Sequence, residues 1–105
     1  MDINKETVRE LKHGWTTVGT LAAQLSPLEL NAYKGVLMTC PGSAYPGEGN
    51  DAPVWVGGPL MTADDGPTGG FPIVPGSSMF VPVERIDLLY VISTMENQKI
   101  GWMLL

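Results

Sequence analysis

The feature that most constrains this chain is how often proline and glycine interrupt its apolar runs. Thirteen glycines and nine prolines are spread over 105 residues. The last third shows the pattern most clearly: Gly70-Phe71-Pro72-Ile73-Val74-Pro75-Gly76-Ser77-Ser78-Met79-Phe80-Val81-Pro82-Val83, then Leu88-Leu89-Tyr90-Val91-Ile92, then Ile100-Gly101-Trp102-Met103-Leu104-Leu105. Proline fixes φ and removes a backbone donor, and glycine admits tight turns, so both punctuate secondary structure. The runs between them are rich in Val, Ile, Thr and aromatic residues, which suit a pleated sheet.

Read along the chain, strands are expected over residues 15–25, 33–39, 54–56, 71–74, 77–83, 88–93 and 99–105, with 60–62 as a further short one. A helix from Leu21 is the competing reading within the first of these. Within 33–39, Val36 and Met38 share one face, and Gly35, Leu37 and Thr39 the other. Within 77–83, Met79, Val81 and Val83 oppose Ser78, Phe80 and Pro82, and Pro82 requires that this strand hold an edge position or face its proline outward. Residues 88–93 are apolar enough for a strand covered on both faces. Residues 40–53 and 64–70 are loops, set by Pro41-Gly42, Pro46-Gly47 and Asp65-Gly66. About six to eight short strands at regular spacing, with no helix recurring between them, argue a sandwich or barrel rather than a parallel α/β sheet. The expected fold class is all-β, a small β-sandwich or jelly-roll-like barrel over residues 15–105. Residues 1–14 precede it as a short helix over 2–13 or an extended arm, with Ile3, Thr7, Val8 and Leu11 as its apolar stripe and Gly14 as its stop.

Charge and composition exclude several function classes. Eleven carboxylates face six Lys or Arg, a formal net charge of −5, so nucleic-acid binding through a basic footprint is not expected. The apolar runs fall short of a membrane span, and the polar N-terminus lacks the apolar core of a secretion signal. Synthesis in a cytoplasm is the expectation. Cys40 is the only cysteine, so neither an internal disulfide nor a zinc set is available. Charged residues make up only 16% of the chain, against about a quarter in ordinary soluble domains. A surface with so few charges is expected to lie against another chain.

Catalysis needs a poised acid, base or nucleophile, and the sequence supplies little of it. His13, the one histidine, reads as an exposed residue at a helix end, and Cys40 as a buried inert thiol. Asp64-Asp65-Gly66 lacks the alternate carboxylates of a calcium loop and reads as a solvated turn. The glycines from Gly66 to Gly70 lead into Phe71-Pro72, not into the Lys-Ser and helix of a phosphate loop. Trp15, Trp55 and Trp102 read as core or interface residues. No catalytic residue, cofactor or metal is expected.

The segments Gly35-Val36-Leu37-Met38, Pro53-Val54-Trp55-Val56-Gly57-Gly58, Gly70 to Ser78, Asp87 to Ser93 and Lys99-Ile100-Gly101-Trp102 carry a resemblance. In their order they resemble a group of small tailed-bacteriophage virion proteins of the capsid decoration, cement or head-fibre type. In that group a V-x-V-G strand is followed by G-F-P-L-x-P-G-E-S, an I-Y-V-I strand and a short closing strand. The resemblance spans roughly residues 34–105, and Ser77 stands where an acidic residue is common. It implies a structural protein without enzymatic activity, on the outer capsid surface of a virion, whose partner is the major capsid protein.

The reading is therefore a homo-oligomeric decoration protein, dimer or trimer, that stabilises the mature head. Its expected partner contacts are Ile3, Val8 and Leu11 in the arm, Trp15, and Tyr45 in the long loop. The alternative is a carbohydrate- or receptor-binding module of a head fibre or tail, using Tyr45, Asn50, Asp51 and Trp55. A small enzyme built on Cys40 or Asp64, with His13 beside the thiol, ranks behind both.

Overall fold

Alternation of apolar and polar residues becomes eight strands in the computed structural model, which describes residues 11–42 and 49–105. They are β1 Lys12–Val18, β2 Ala23–Gln24, β3 Val36–Thr39, β4 Val54–Gly57, β5 Phe71–Ile73, β6 Ser78–Val81, β7 Tyr90–Ser93 and β8 Gln98–Leu104. One 3-10 turn, Ile86–Leu88, leads into β7, and the described residues contain no α-helix.

The strands form two four-stranded sheets ordered β1-β8-β3-β6 and β2-β7-β4-β5. Every pairing is antiparallel. The pairs β1·β8, β2·β7, β3·β6 and β4·β5 are nested, so the chain is one long hairpin, folded at the β4–β5 connection and rolled into two layers. Alternate pairs fall in alternate sheets, which is the strand order of a jelly roll. The expected all-β sandwich is thus the fold observed.

The inward faces fill the space between the sheets. Val18, Val36, Met38, Ile100 and Leu104 from the first sheet meet Val54, Val56, Ile73 and Val91 from the second, with Leu25, Ile86 and Leu89 closing one end. Each such buried aliphatic side chain is worth about 1.5–3 kcal/mol relative to exposure. At the other end, buried amides replace apolar packing. Gln98 Oε1 accepts from the backbone N–H of Asp51 (2.8 Å) and of Ala52 (3.1 Å). Asn50 donates to the Lys99 carbonyl and accepts from its N–H, both at 2.7 Å. These bonds fix the return of the 40–53 loop, because buried polar groups must be satisfied.

Local differences from the sequence reading have identifiable causes. Lys12 and His13, expected at the end of a helix, pair with Leu104 and Met103 in β1. The rest of that expected helix lies outside the described residues. The first described strand accordingly starts at Lys12, ahead of the expected start at residue 15. The strand expected over 15–25 is interrupted at 19–22, where the chain crosses between sheets. The Glu96 carboxylate accepts from Thr20 Oγ1 (2.6 Å) and the Thr20 N–H (3.0 Å), and Ser93 N–H donates to the Gly19 carbonyl (2.8 Å). Residues 60–62 supply one bridge, Thr62 to Gly69, rather than a strand. The Pro75-Gly76 turn is as expected, with Gly76 at φ 92 and Ser77 N–H bonded to the Val74 carbonyl.

Candidate interaction face

Two Gly-Trp dipeptides, Gly14-Trp15 and Gly101-Trp102, lie opposite one another in the β1·β8 ladder, with Gly14 paired to Trp102 and Trp15 to Gly101. Successive side chains of a strand point to opposite faces, so each indole covers the partner glycine on a different face. On the inner side, a Cβ on Gly14 would stand 2.6 Å from Trp102 Cζ2. The Trp102 indole N–H donates to Thr16 Oγ1 (3.2 Å), which donates to the Leu25 carbonyl (2.6 Å). On the outer side, a Cβ on Gly101 would stand 3.1 Å from the Trp15 ring and 3.1 Å from Thr39 Cγ2. Trp15 is half-exposed there, held across the sheet by the absence of a side chain beneath it.

The outer face of β1-β8-β3-β6 therefore carries two register rows. His13, Met103, Leu37 and Phe80 form one, and Trp15, Gly101, Thr39 and Ser78 the next. Leu37 is 36% and Phe80 44% exposed. Between the rows runs a shallow groove of about 240 Å³, bounded by Trp15, His13, Leu37, Met103, Thr39 and Ser78. Ser78 Oγ donates to Thr39 Oγ1 at 3.2 Å, so the groove has an apolar wall and a hydroxyl wall.

The outer face of β2-β7-β4-β5 is different. Trp55 and Ile92 point outward but are buried, because the β4–β5 loop folds back and sets Met61 on them, with Tyr90, Ala22 and Ala63 around the cluster. The loop is braced by Thr62 Oγ1 and Thr68 Oγ1 (2.9 Å) and by the Gly66 N–H donating to Asp64 Oδ1 (2.8 Å). Leu60, 88% exposed, is left at its tip.

Of the expected contact residues, Leu11 and Trp15 are exposed, and Ile3, Val8 and Tyr45 lie outside the described residues. Of the expected carbohydrate set, Tyr45 lies outside the described residues and two of the other three are buried. Trp55 is under Met61, and Asn50 is buried with its amide committed to Lys99 and Cys40. His13 and Cys40 are on opposite faces of the first sheet, His13 exposed and Cys40 fully buried in the core. Burial raises the Cys40 thiol above its ordinary range, against the lowering contacts of Asn50 and Val54. The thiol therefore stays protonated at neutral pH. Asp64 lies in an exposed turn, as read from the sequence, and its carboxylate accepts from the Gly66 N–H. Among the described residues no three His, Cys, Asp or Glu side chains gather as a metal site.

Sequence reasoning missed Leu37, Phe80 and Met103 as face residues. Alternation set Leu37 on the face opposite Val36 and Met38, and Phe80 opposite Met79 and Val81, but only the β3·β6 and β3·β8 registers bring them into one row with Met103. No family model, curated protein or solved structure matches the chain.

Proposed function

We propose that the chain is a virion structural protein of a tailed bacteriophage, a capsid decoration protein that binds the major capsid protein on the outer surface of the mature head. The observation that carries this reading is the open outer face of β1-β8-β3-β6. It presents Trp15, Leu37 and Phe80 to solvent on a rigid sheet, whereas the other sheet covers its outward tryptophan with its own loop. Contiguous exposed apolar surface marks a site of association. The role is non-enzymatic. The virion context comes from the sequence resemblance, and the jelly roll, a fold with many uses that include capsid and lectin domains, is compatible with it.

Adhesion of this kind stabilises a shell by mass action. A protein that binds only the mature lattice lowers the free energy of that lattice, and a dimer or trimer touching several shell subunits gains avidity without large individual contacts. The net negative charge gives it no general electrostatic attraction to packaged DNA. The test is co-sedimentation of the purified chain with mature and immature shells. Saturable binding to mature shells is expected, and binding to neither removes the reading.

A carbohydrate- or receptor-binding module is the second reading, now carried by different residues. The half-exposed Trp15 ring beside the Thr39 and Ser78 hydroxyls offers a stacking face with polar groups at its rim. Glycan-array binding that Trp15→Ala abolishes, without shell binding by the parent chain, would favour it.

A further inference from the structure

The four strands at the borders of the two sheets are not protected alike. β2 has two residues, with Pro27 close behind it. β5 has three, one of them Pro72. β6 has four and Pro82 follows at once. Short length and proline are the devices that keep a sheet edge from pairing with another chain. β1 has neither. It runs for seven residues, with no proline and no carboxylate. Its ladder to β8 is continuous from Lys12 opposite Leu104 to Val18 opposite Gln98, without a bulge. Among the described residues, β8 lies on one side of it and the border of the sheet on the other.

We propose that this edge is a self-association site. β1 of one copy pairs antiparallel with β1 of a second copy about a twofold axis, joining two four-stranded sheets into one of eight. Such an interface is isologous, so the strand must be compatible with itself. Centred on residue 15, self-pairing sets Gly14 opposite Thr16 on the inner face, His13 opposite Thr17 on the outer face, and Lys12 opposite Val18. No two like charges are opposed, and the chain's excess of carboxylates is carried elsewhere. The contact is made by main-chain groups, while the Trp15 indole remains over Gly101. Pairing also makes the two outer faces continuous across the seam, so the surface available to a shell doubles. This purpose rests on the adhesion reading, but the pairing itself does not.

Sedimentation of the full chain tests the proposal first, with a species of roughly twice the monomer mass expected as concentration rises. Amide exchange of the native chain then locates the contact. β1 amides are expected to slow with concentration, while those of β5 and β6 do not change. Neighbouring residues in an antiparallel strand direct their N–H groups to opposite sides. Of Lys12→Pro and His13→Pro, two exposed neighbours in β1, one therefore removes a donor to β8 and the other only an edge donor. The edge-side variant is expected to keep the parent circular dichroism and to sediment as a monomer. A parent chain that is monomeric at every concentration overturns the proposal. So does a dimer whose concentration-dependent protection lies outside β1, or protection of β1 only when a shell protein is present. A monomer that binds shells overturns the pairing and leaves the adhesion reading intact, and a β1-paired dimer that binds no shell does the reverse.

Discussion

Trp55 and Trp15 both stand on the outer face of a four-stranded sheet, but Trp55 is 9% exposed and Trp15 51%. The difference lies in what the chain does next. After β4 it spends residues 58–70 on a braced loop that returns over Trp55 and Ile92 with Met61. No described segment is placed likewise over Leu37 and Phe80, which keep 36% and 44% of their surface. One sheet satisfies its apolar exterior internally. Among the described residues the other has no such cover, and its border strand β1 is the longest of the four and carries no proline. Self-covered and open faces of similar composition thus divide the molecule into a part that stabilises the fold and a part that offers adhesion.

Removing each tryptophan is the most forceful way to break that division. Trp55→Ala is expected to cost about 3–5 kcal/mol, the usual penalty for deleting a large buried ring. Trp15→Ala is expected to cost roughly 1 kcal/mol, because half of the ring already meets water. Urea unfolding of both variants measures this. Equal losses would mean that the two faces are not distinct. Met61→Ala is the next largest, at about 2–3 kcal/mol, and it should shift Trp55 emission to the red as water reaches the indole. An unshifted spectrum would show that the loop does not shield the ring.

The smallest effect concerns the clasp between the 19–22 and 94–97 turns. Hydrogen bonds from the Thr20 hydroxyl and N–H hold the Glu96 carboxyl below its ordinary range, although it is fully exposed. A carboxyl whose folded pKa lies below its unfolded one contributes its stability above the unfolded value. It loses that contribution as pH falls through the folded one. The protection of the Thr20 amide, its exchange rate taken relative to the intrinsic rate at the same pH, should therefore fall as the solution is acidified through the carboxylate range, and Glu96→Gln should remove that dependence. Protection at Thr20 that ignores both changes would show that the clasp does not form.

Much of the fold was legible because proline and glycine bound the strands and alternation assigns their faces. Val36 and Met38 are buried and Leu37 and Thr39 exposed, as their spacing requires. Pro82 called for an edge position or an outward-facing proline, and β6 stands at a border. Gly14 misled, because a glycine that reads as a helix stop is here the space that Trp102 occupies. Recognising this needs the β1·β8 register, which joins residues almost ninety positions apart and leaves no local trace. Trp55 reads as a core or interface residue and is buried, but that Met61 returns to cover it has no local trace. The candidate face was hidden for a related reason, since Leu37, Phe80 and Met103 come from three strands and share no motif.

Co-sedimentation of mature heads with a Leu37→Ser/Phe80→Ser double variant, run beside Met61→Ala, tests the division most directly. The double variant should unfold within about 1 kcal/mol of the parent and bind heads at least roughly tenfold more weakly, a loss of about 1.4 kcal/mol in adhesion. Met61→Ala should be the less stable protein and yet bind like the parent under conditions where it is folded. Undiminished binding by the double variant, or loss of binding confined to folded Met61→Ala, would contradict the assignment of adhesion to the open face.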